Sequence, residues 1–85
     1  MNDIWIIIKY ADLLRSTSNE KYKTQLYKSS KLTQVTIYKI VSIWQKYGLV
    51  ETRKGTREIF VKLTKKGEEF LNKLDELIKV LKVEG

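Results

Sequence analysis

The sequence has no cysteine, no histidine and no proline among its 85 residues. Without cysteine, the chain forms no disulfide and offers no thiolate to a metal or a substrate. Without histidine, a Cys/His zinc finger and a catalytic triad with an imidazole base are excluded as well. The sequence also lacks a glycine-rich loop of the kind that cradles phosphates. We therefore expect no enzyme, no metal site and no cofactor, and the length predicts one domain over residues 1–85.

Long hydrophobic runs are missing too, since no segment reaches the ~18 apolar residues that a membrane span requires. The N-terminal segment MNDIWIII has neither the basic region nor the small-residue cleavage site of a signal peptide. These features predict a cytoplasmic protein without a membrane-bound segment.

Acidic residues are scarce in the middle of the chain, although the net charge of +7 understates this. Residues 19–67 carry twelve basic and three acidic side chains, whereas the two ends together carry five basic and seven acidic ones. A basic block confined to one stretch is typical of a protein that binds a polyanion. The alternative is an ordinary soluble protein that is generally rich in lysine.

The stretch with the clearest pattern is residues 33–49, TQVTIYKIVSIWQKYGL. Its apolar residues recur at the spacing of one buried helical stripe, namely Ile37, Ile40, Val41 and Trp44. Thr33 is a suitable N-cap, and Gly48 stands where a left-handed residue would end the helix. The opposite face begins with Gln34, Val35, Thr36, Tyr38, Lys39 and Ser42. It carries no acid and suits the DNA major groove, although a solvated helix face is the alternative.

Two further helices are predicted at the ends of the chain. The first, capped by Asp3 and extending to about residue 15, is apolar around more than half of its surface. The last, capped by Thr64, has a heptad-like apolar stripe and ends near residue 83. Because one small domain cannot cover so much apolar surface, we interpret both helices as dimerisation helices. The predicted interface residues are Ile4, Trp5, Ile8, Leu71, Leu74, Ile78 and Leu81.

Between these helices the chain alternates short elements. Residues 20–23 predict a short edge strand, and Thr24 can cap a helix over residues 25–30 that points Leu26 inward. Residues 49–54 and 58–63 alternate as strands, and Lys54 to Arg57 join them in a tight hairpin. We expect Gly55 to take the positive φ that such turns need. Short helix, brief turn and longer helix is the order of a helix-turn-helix, which predicts an α+β fold that is mainly α.

Two segments sharpen this interpretation. Residues 44–51, WQKYGLVE, resemble the LEKKGLVE segment that ends the recognition helix in multiple-antibiotic-resistance-type (MarR-like) regulators. Residues 61–71, VKLTKKGEEFL, resemble the segment V-x-L-T-x-K-G-x-x-x-L that leaves the wing in the same families. The resemblance covers about residues 24–71 and implies a winged helix-turn-helix. In its short length the chain is similar to the small winged-helix proteins of archaea and their viruses and plasmids.

Departures from the family pattern also matter. Lys31 replaces the glycine often found in the turn, and Tyr27 stands where a small alanine is usual. So short a chain also makes the family's small-molecule pocket doubtful. A small-molecule effector is therefore not expected, although the sequence leaves one open.

The resemblance implies a nucleoid-associated homodimer that regulates transcription from a pseudo-palindromic site on double-stranded DNA. A recognition helix over residues 33–47 would enter the major groove, and a basic wing over residues 53–57 would follow the backbone or minor groove. The expected contacts at or near bases are Gln34, Val35, Thr36, Tyr38 and Lys39, and Thr33 is also expected to contact DNA. The expected phosphate contacts are Thr24, Lys28, Ser29, Lys31, Ser42 and Lys46, with Arg53, Lys54, Thr56 and Arg57 in the wing.

Two other functions remain open at this point. The same fold and charge would serve a protein that binds DNA without sequence preference, in packaging, partition or replication. Winged helices also act as protein-interaction modules, although a lysine-rich wing is atypical of a docking surface.

Overall fold

The computed structural model describes residues 2–82, and over that range it contains five helices and three strands. Their order is α1 Asp3–Lys9, α2 Ala11–Ser16, β1 Lys21–Tyr22, α3 Lys23–Ser30, α4 Gln34–Lys46, β2 Val50–Lys54, β3 Ile59–Leu63 and α5 Lys65–Leu81. The predicted winged-helix order and the short edge strand β1 are confirmed. Residue 83, the end of the predicted last helix, lies outside the described residues.

Helix α4 supplies the centre of the core. The whole predicted stripe is buried, with Trp44 fully enclosed, and Ile43 joins it. The Thr33 hydroxyl accepts a hydrogen bond from the backbone N–H of Thr36 at 3.2 Å, as an N-cap does. After the helix, Gly48 has a φ of +73°, which a residue with a side chain rarely adopts. Both predicted ends of α4 are therefore confirmed.

The predicted first helix is wrong in its continuity and in its cap. Tyr10 leaves helical geometry and separates α1 from α2. The bend turns Ile6 of one half and Leu14 of the other toward the same core. The cap is Asn2, whose side-chain oxygen accepts from the N–H of Ile4 at 3.0 Å. Asp3 instead lies in the first turn of α1, and its carboxylate does not cap the helix.

Helix α3 begins earlier than the sequence predicts. Its N-cap is Tyr22, whose N–H donates to the side-chain oxygen of Gln25 at 2.8 Å. Thr24 is therefore inside the first turn and does not cap the helix. Leu26 is buried as expected. Lys31 has a φ of +62°, which explains why glycine suits this turn position in related proteins.

The three strands form an antiparallel sheet in the order β1-β3-β2. Val61 on the central strand is fully buried, and it pairs with Lys21 on one side and Thr52 on the other. The expected positive φ at Gly55 is wrong, because the only glycine with positive φ in the described range is Gly48. A side chain at Gly55 would have to displace the Phe60 ring, since a Cβ would lie 2.8 Å from its Cε2 atom.

Helix α5 is tied to the rest of the fold at two points. At its N-terminus, the Thr64 hydroxyl accepts from the N–H of Gly67 at 3.0 Å and donates to the carbonyl of Gly48 at 2.6 Å. One turn beyond the buried Leu71, Asp75 accepts two hydrogen bonds from the Arg15 guanidinium, at 2.9 and 3.1 Å. Asp75 raises the pKa of that guanidinium. Within residues 2–82, no helix is long and apolar enough to cross a membrane.

Candidate nucleic-acid interface

The outer face of α4 projects into solvent as the sequence predicts. Val35 is 77% exposed and Tyr38 is 47% exposed, and Gln34, Lys39 and Ser42 are also exposed. The first turn of α4 contains no acidic residue. This face therefore presents a methyl-rich side chain, an amide, a phenol and a cation, without a carboxylate that would repel a polyanion.

Two side chains on this face are hydrogen-bonded to each other, and a lysine from α3 lies over the ring of one of them. The Gln34 amide donates to the Tyr38 hydroxyl at 3.2 Å. The Lys23 ammonium lies 4.4 Å from the centre of the Tyr38 ring, within the range of a cation–π interaction. The sequence did not indicate Lys23, because the predicted start of α3 placed it in a strand. Its true position at the start of α3 brings a further cation to the edge of α4.

The N-terminus of α4 is organised by two threonines. Besides the N-cap bond, the hydroxyls of Thr33 and Thr36 lie 2.8 Å apart and share a hydrogen bond. Thr33 is therefore a structural cap, and Thr36 is partly covered by it. Both remain next to Gln34, so they limit how the start of the helix can approach a ligand.

The predicted phosphate contacts on α3, in the turn and on α4 have different surroundings. Lys28, Ser29, Lys31 and Ser42 are exposed, and the Ser29 hydroxyl reaches only its own helix, at the carbonyl of Leu26. The Thr24 hydroxyl instead donates to the Glu58 carboxylate at 2.9 Å. This bond links the start of α3 to the turn of the hairpin and gives Thr24 a structural partner.

The hairpin exposes its cationic tip. Lys54, Thr56 and Arg57 are exposed at the turn, where the Gly55 N–H donates to the carbonyl of Glu58 at 2.7 Å. Arg53 differs from them, because its guanidinium contacts the Glu20 carboxylate at 3.0 Å. The sequence predicts Arg53, Lys54 and Arg57 together at the tip and does not indicate that Arg53 is paired with a carboxylate.

Lys46, at the end of α4, is also paired. Its ammonium lies 3.3 Å from the Asp3 carboxylate, which accepts a second bond from the Tyr47 hydroxyl at 3.1 Å. Lys46 and then Tyr47 lower the pKa of Asp3 below its usual 3.8. In the described part of the chain, by contrast, five predicted contacts have no carboxylate within 4.0 Å: Lys28, Lys31, Lys39, Lys54 and Arg57.

Exposed apolar side chains lie on α1, and a second group of them lies on the second half of α5. On α1, Trp5 and Ile4 are each 59% exposed and Ile8 is 41% exposed. On α5, the exposed apolar side chains are Leu77, Ile78, Val80 and Leu81. Leu71 is corrected here, since it is buried in the core of its own chain and cannot face a partner, and Leu74 packs partly against that core.

An apolar groove of about 460 Å³ adjoins the exposed apolar side chains of α1. Its walls come from α1, from the end of α4 and from the first half of α5, and it shares Ile4 with the exposed surface. The exposed apolar area of α1 is therefore continuous with the groove. Within residues 2–82, no group of three or more acidic side chains is placed to hold a metal ion.

The chain belongs to the winged helix-turn-helix family, whose sequence model matches residues 5–82. This match covers α4, the hairpin and the helices that flank them. No curated protein shows significant similarity to the chain.

Solved structures of similar fold include transcriptional regulators. One is the transcriptional regulator BldR from Sulfolobus solfataricus, at 26% identity and a TM-score of 0.73, covering 82% of this chain. The match includes 53% of BldR, so this chain spans about half of that protein's length. AF1382 from Archaeoglobus fulgidus, at 15% identity and a TM-score of 0.71, covers 85% of this chain and 86% of its own.

A further similar structure is HlyU from Vibrio cholerae, at 20% identity and a TM-score of 0.67, covering 88% of this chain and 90% of its own. The low identities of AF1382 and HlyU support the fold alone. The finer resemblance to MarR-like and archaeal regulators stays a prediction.

Proposed function

We propose that this protein is a sequence-specific, double-stranded-DNA-binding transcriptional regulator that acts as a homodimer. One observation supports this most directly: the exposed face of α4 carries no acid, and five of the predicted cationic contacts have no carboxylate partner among residues 2–82. Unpaired exposed cations create a positive potential that attracts a polyanion, and DNA is the polyanion that a winged helix-turn-helix face fits.

In this proposal α4 enters the major groove and reads base edges. The Gln34 amide can bond to adenine through one donor and one acceptor. The exposed methyl groups of Val35 suit the methyl group of thymine, which lines the same groove. Tyr38 and Lys39 lie one turn further along the helix, at the edge of the contacted base pairs.

Phosphate contacts flank the groove. On one side are Lys28, Ser29 and Lys31 of α3 and its turn, and Ser42 of α4. In the wing, Lys54, Thr56 and Arg57 would follow the backbone or enter a narrow minor groove, where arginine is favoured. If each protomer neutralises ~4 phosphates, log affinity should fall with log salt concentration at a slope of about −7 for a dimer.

Dimerisation would cover the apolar surface of α1 and α5. Trp5 and Leu81 are too exposed for a stable monomer to carry without cost, and the groove beside Ile4 extends the area available to a second copy. A two-fold dimer would place two α4 helices on half-sites about 10 bp apart or a multiple of that spacing, on a pseudo-palindromic sequence.

Selection of bound duplexes from a random pool, with light scattering on the same preparation, tests the proposal. We expect a dimeric mass and an enriched sequence with two inverted half-sites. Retention of all duplexes without enrichment would replace this function with sequence-neutral DNA binding. Failure to retain any duplex at low salt would contradict DNA binding and leave a protein-interaction module.

A further inference from the structure

The outer face of the wing carries one row of side chains across all three strands. The register pairs Phe60 on β3 with Tyr22 on β1 and with Arg53 on β2, so the three point to the same side of the sheet. The rings of Tyr22 and Phe60 lie 4.5 Å apart, and the Arg53 guanidinium lies 4.1 Å from the centre of the Phe60 ring.

Glu20, in the segment that precedes β1, contacts the arginine at the end of this row. Its carboxylate accepts from Arg53 at both oxygens, with Nη2 at 3.0 Å and Nε at 3.4 Å. Arg53 is thus held by a forked ion pair and by an aromatic ring at the same time, a combination that lysine cannot reproduce. Tyr22 and Arg53 both lie against the Phe60 ring and so reduce the area on which a nucleic-acid base could stack.

We propose that Glu20, Arg53 and Phe60 form a clasp that fixes the direction of the wing, and that Arg53 and Glu20 are positioning residues rather than DNA contacts. This inference rests on the proposed function. It assigns to Arg53 a different task from that of Lys54 and Arg57, although all three are basic residues of one hairpin.

The physical need for a clasp follows from the size of the sheet. The hairpin strands β2 and β3 have five residues each, and β1 has two. A two-stranded hairpin is marginally stable by itself, so its orientation depends on what holds its sides. The clasp ties the outer side of β2 to the segment before β1, and the Thr24–Glu58 bond ties the base of the turn to α3. Together they determine where Arg57 projects relative to α4.

The substitution Glu20→Gln distinguishes the clasp from the alternative that Arg53 contacts DNA and Glu20 holds it back. The two interpretations predict opposite changes in DNA affinity. The substitution removes a negative charge, which by electrostatics alone would strengthen DNA binding. If Arg53 is a positioning residue, the variant should instead weaken binding of the selected duplex by about two- to five-fold, as expected for the loss of an exposed ion pair.

Glu51→Gln is the matched control. Glu51 lies two residues before Arg53 on the same strand, is exposed, and has no lysine or arginine nitrogen within 4.0 Å among the described residues. Its neutralisation should leave binding equal or slightly stronger. If Glu20→Gln binds as tightly as Glu51→Gln or more tightly, the clasp is overturned and Arg53 becomes a contact that Glu20 restrains.

Amide hydrogen exchange of the free protein tests the clasp without DNA. Both Glu20→Gln and Arg53→Lys should accelerate exchange at the hairpin amides, including the Gly55 N–H, while Glu51→Gln should not. Unchanged hairpin exchange in both variants would overturn the clasp even if DNA binding is confirmed. If the wild-type protein binds no duplex, the proposed function fails, and faster exchange in both variants still supports the clasp.

Discussion

The Gln34 amide donates to the Tyr38 hydroxyl at 3.2 Å, one turn apart on the exposed face of α4. A glutamine amide has two N–H donors and one acceptor oxygen, so this bond uses one donor and leaves the other donor and the oxygen free. Those are the two groups that a bidentate contact to adenine requires. In the proposed function, Tyr38 would therefore orient Gln34 without occupying the atoms that contact adenine, and Lys23 in turn covers the Tyr38 ring.

The first prediction concerns this pair. Gln34→Ala should cost about 1–3 kcal/mol at one base pair of the selected site and little elsewhere. Tyr38→Phe keeps the ring but loses the hydroxyl, so it should weaken discrimination at that same base pair by a smaller amount. Titration of each variant against single-base-pair substitutions of the site measures both effects. In the double variant the two losses should be less than additive, since both act through one amide.

A uniform loss across all sequences in Gln34→Ala would refute its base-reading role. Lys39→Ala offers a comparison on the same helix face, because a cation contributes mainly to sequence-independent attraction.

The second prediction concerns the wing tip. Lys54→Ala and Arg57→Ala should weaken binding to all duplexes alike, because neither residue has a carboxylate partner among residues 2–82 and both are available for phosphates. Each substitution should reduce the salt slope of a dimer by about 1.8, from about 0.9 per phosphate and protomer. Lys79→Ala, on the exposed side of α5, is the control and should leave the slope unchanged.

Local signals explain which parts of this fold the sequence predicts. Thr33, Gly48 and Thr64 act within one helical turn of their own position, and each does in the structure what its residue type indicates. The alternation of β2 and β3 and the stripe of α4 are also local patterns. These local patterns were therefore predicted correctly, whereas the equally local expectations for the caps Asp3 and Thr24 and for the φ of Gly55 were wrong.

Long-range pairing explains what the sequence did not show. Arg53 meets Glu20 across 33 positions, and Lys46 meets Asp3 across 43, so no spacing rule indicates either ion pair. The break at Tyr10 has the same origin, because only the packed core requires the chain to bend there. The role of charged residues at the candidate interface thus depends on partners that periodicity cannot reveal.

The third prediction concerns the pair that joins α1 to the end of α4. Lys46 and Tyr47 lower the pKa of Asp3, so the ionised carboxylate is favoured in the folded state. Its contribution to stability is fully present above the ordinary pKa of 3.8 and is lost as pH falls through the lower folded pKa. Asp3→Asn should therefore lower the Tm by a small, constant amount near neutral pH, and this difference should vanish in strong acid.

The same variant gives a second measurement, because it releases Lys46. With the carboxylate gone, the Lys46 ammonium becomes available to phosphate, and the salt slope of DNA binding should become steeper. An unchanged slope would mean that Lys46 lies outside the bound DNA, whereas a Tm difference that persists in strong acid would contradict the role of the Asp3 charge.

The last prediction concerns the apolar surface of α1. Trp5 is 59% exposed, so Trp5→Ser should leave the fold of the protomer intact and act on association alone. By two-fold symmetry both copies lose the side chain, and burial of an aromatic side chain contributes roughly 2 kcal/mol or more. The two losses together amount to about 4 kcal/mol, so the dimer dissociation constant should rise about 1,000-fold, measured by sedimentation equilibrium. Val35→Ser is the control, since Val35 is 77% exposed on α4, where its loss should weaken DNA reading and leave the dimer unchanged. If Trp5→Ser stays dimeric at the wild-type concentration dependence, the interface lies elsewhere on the molecule.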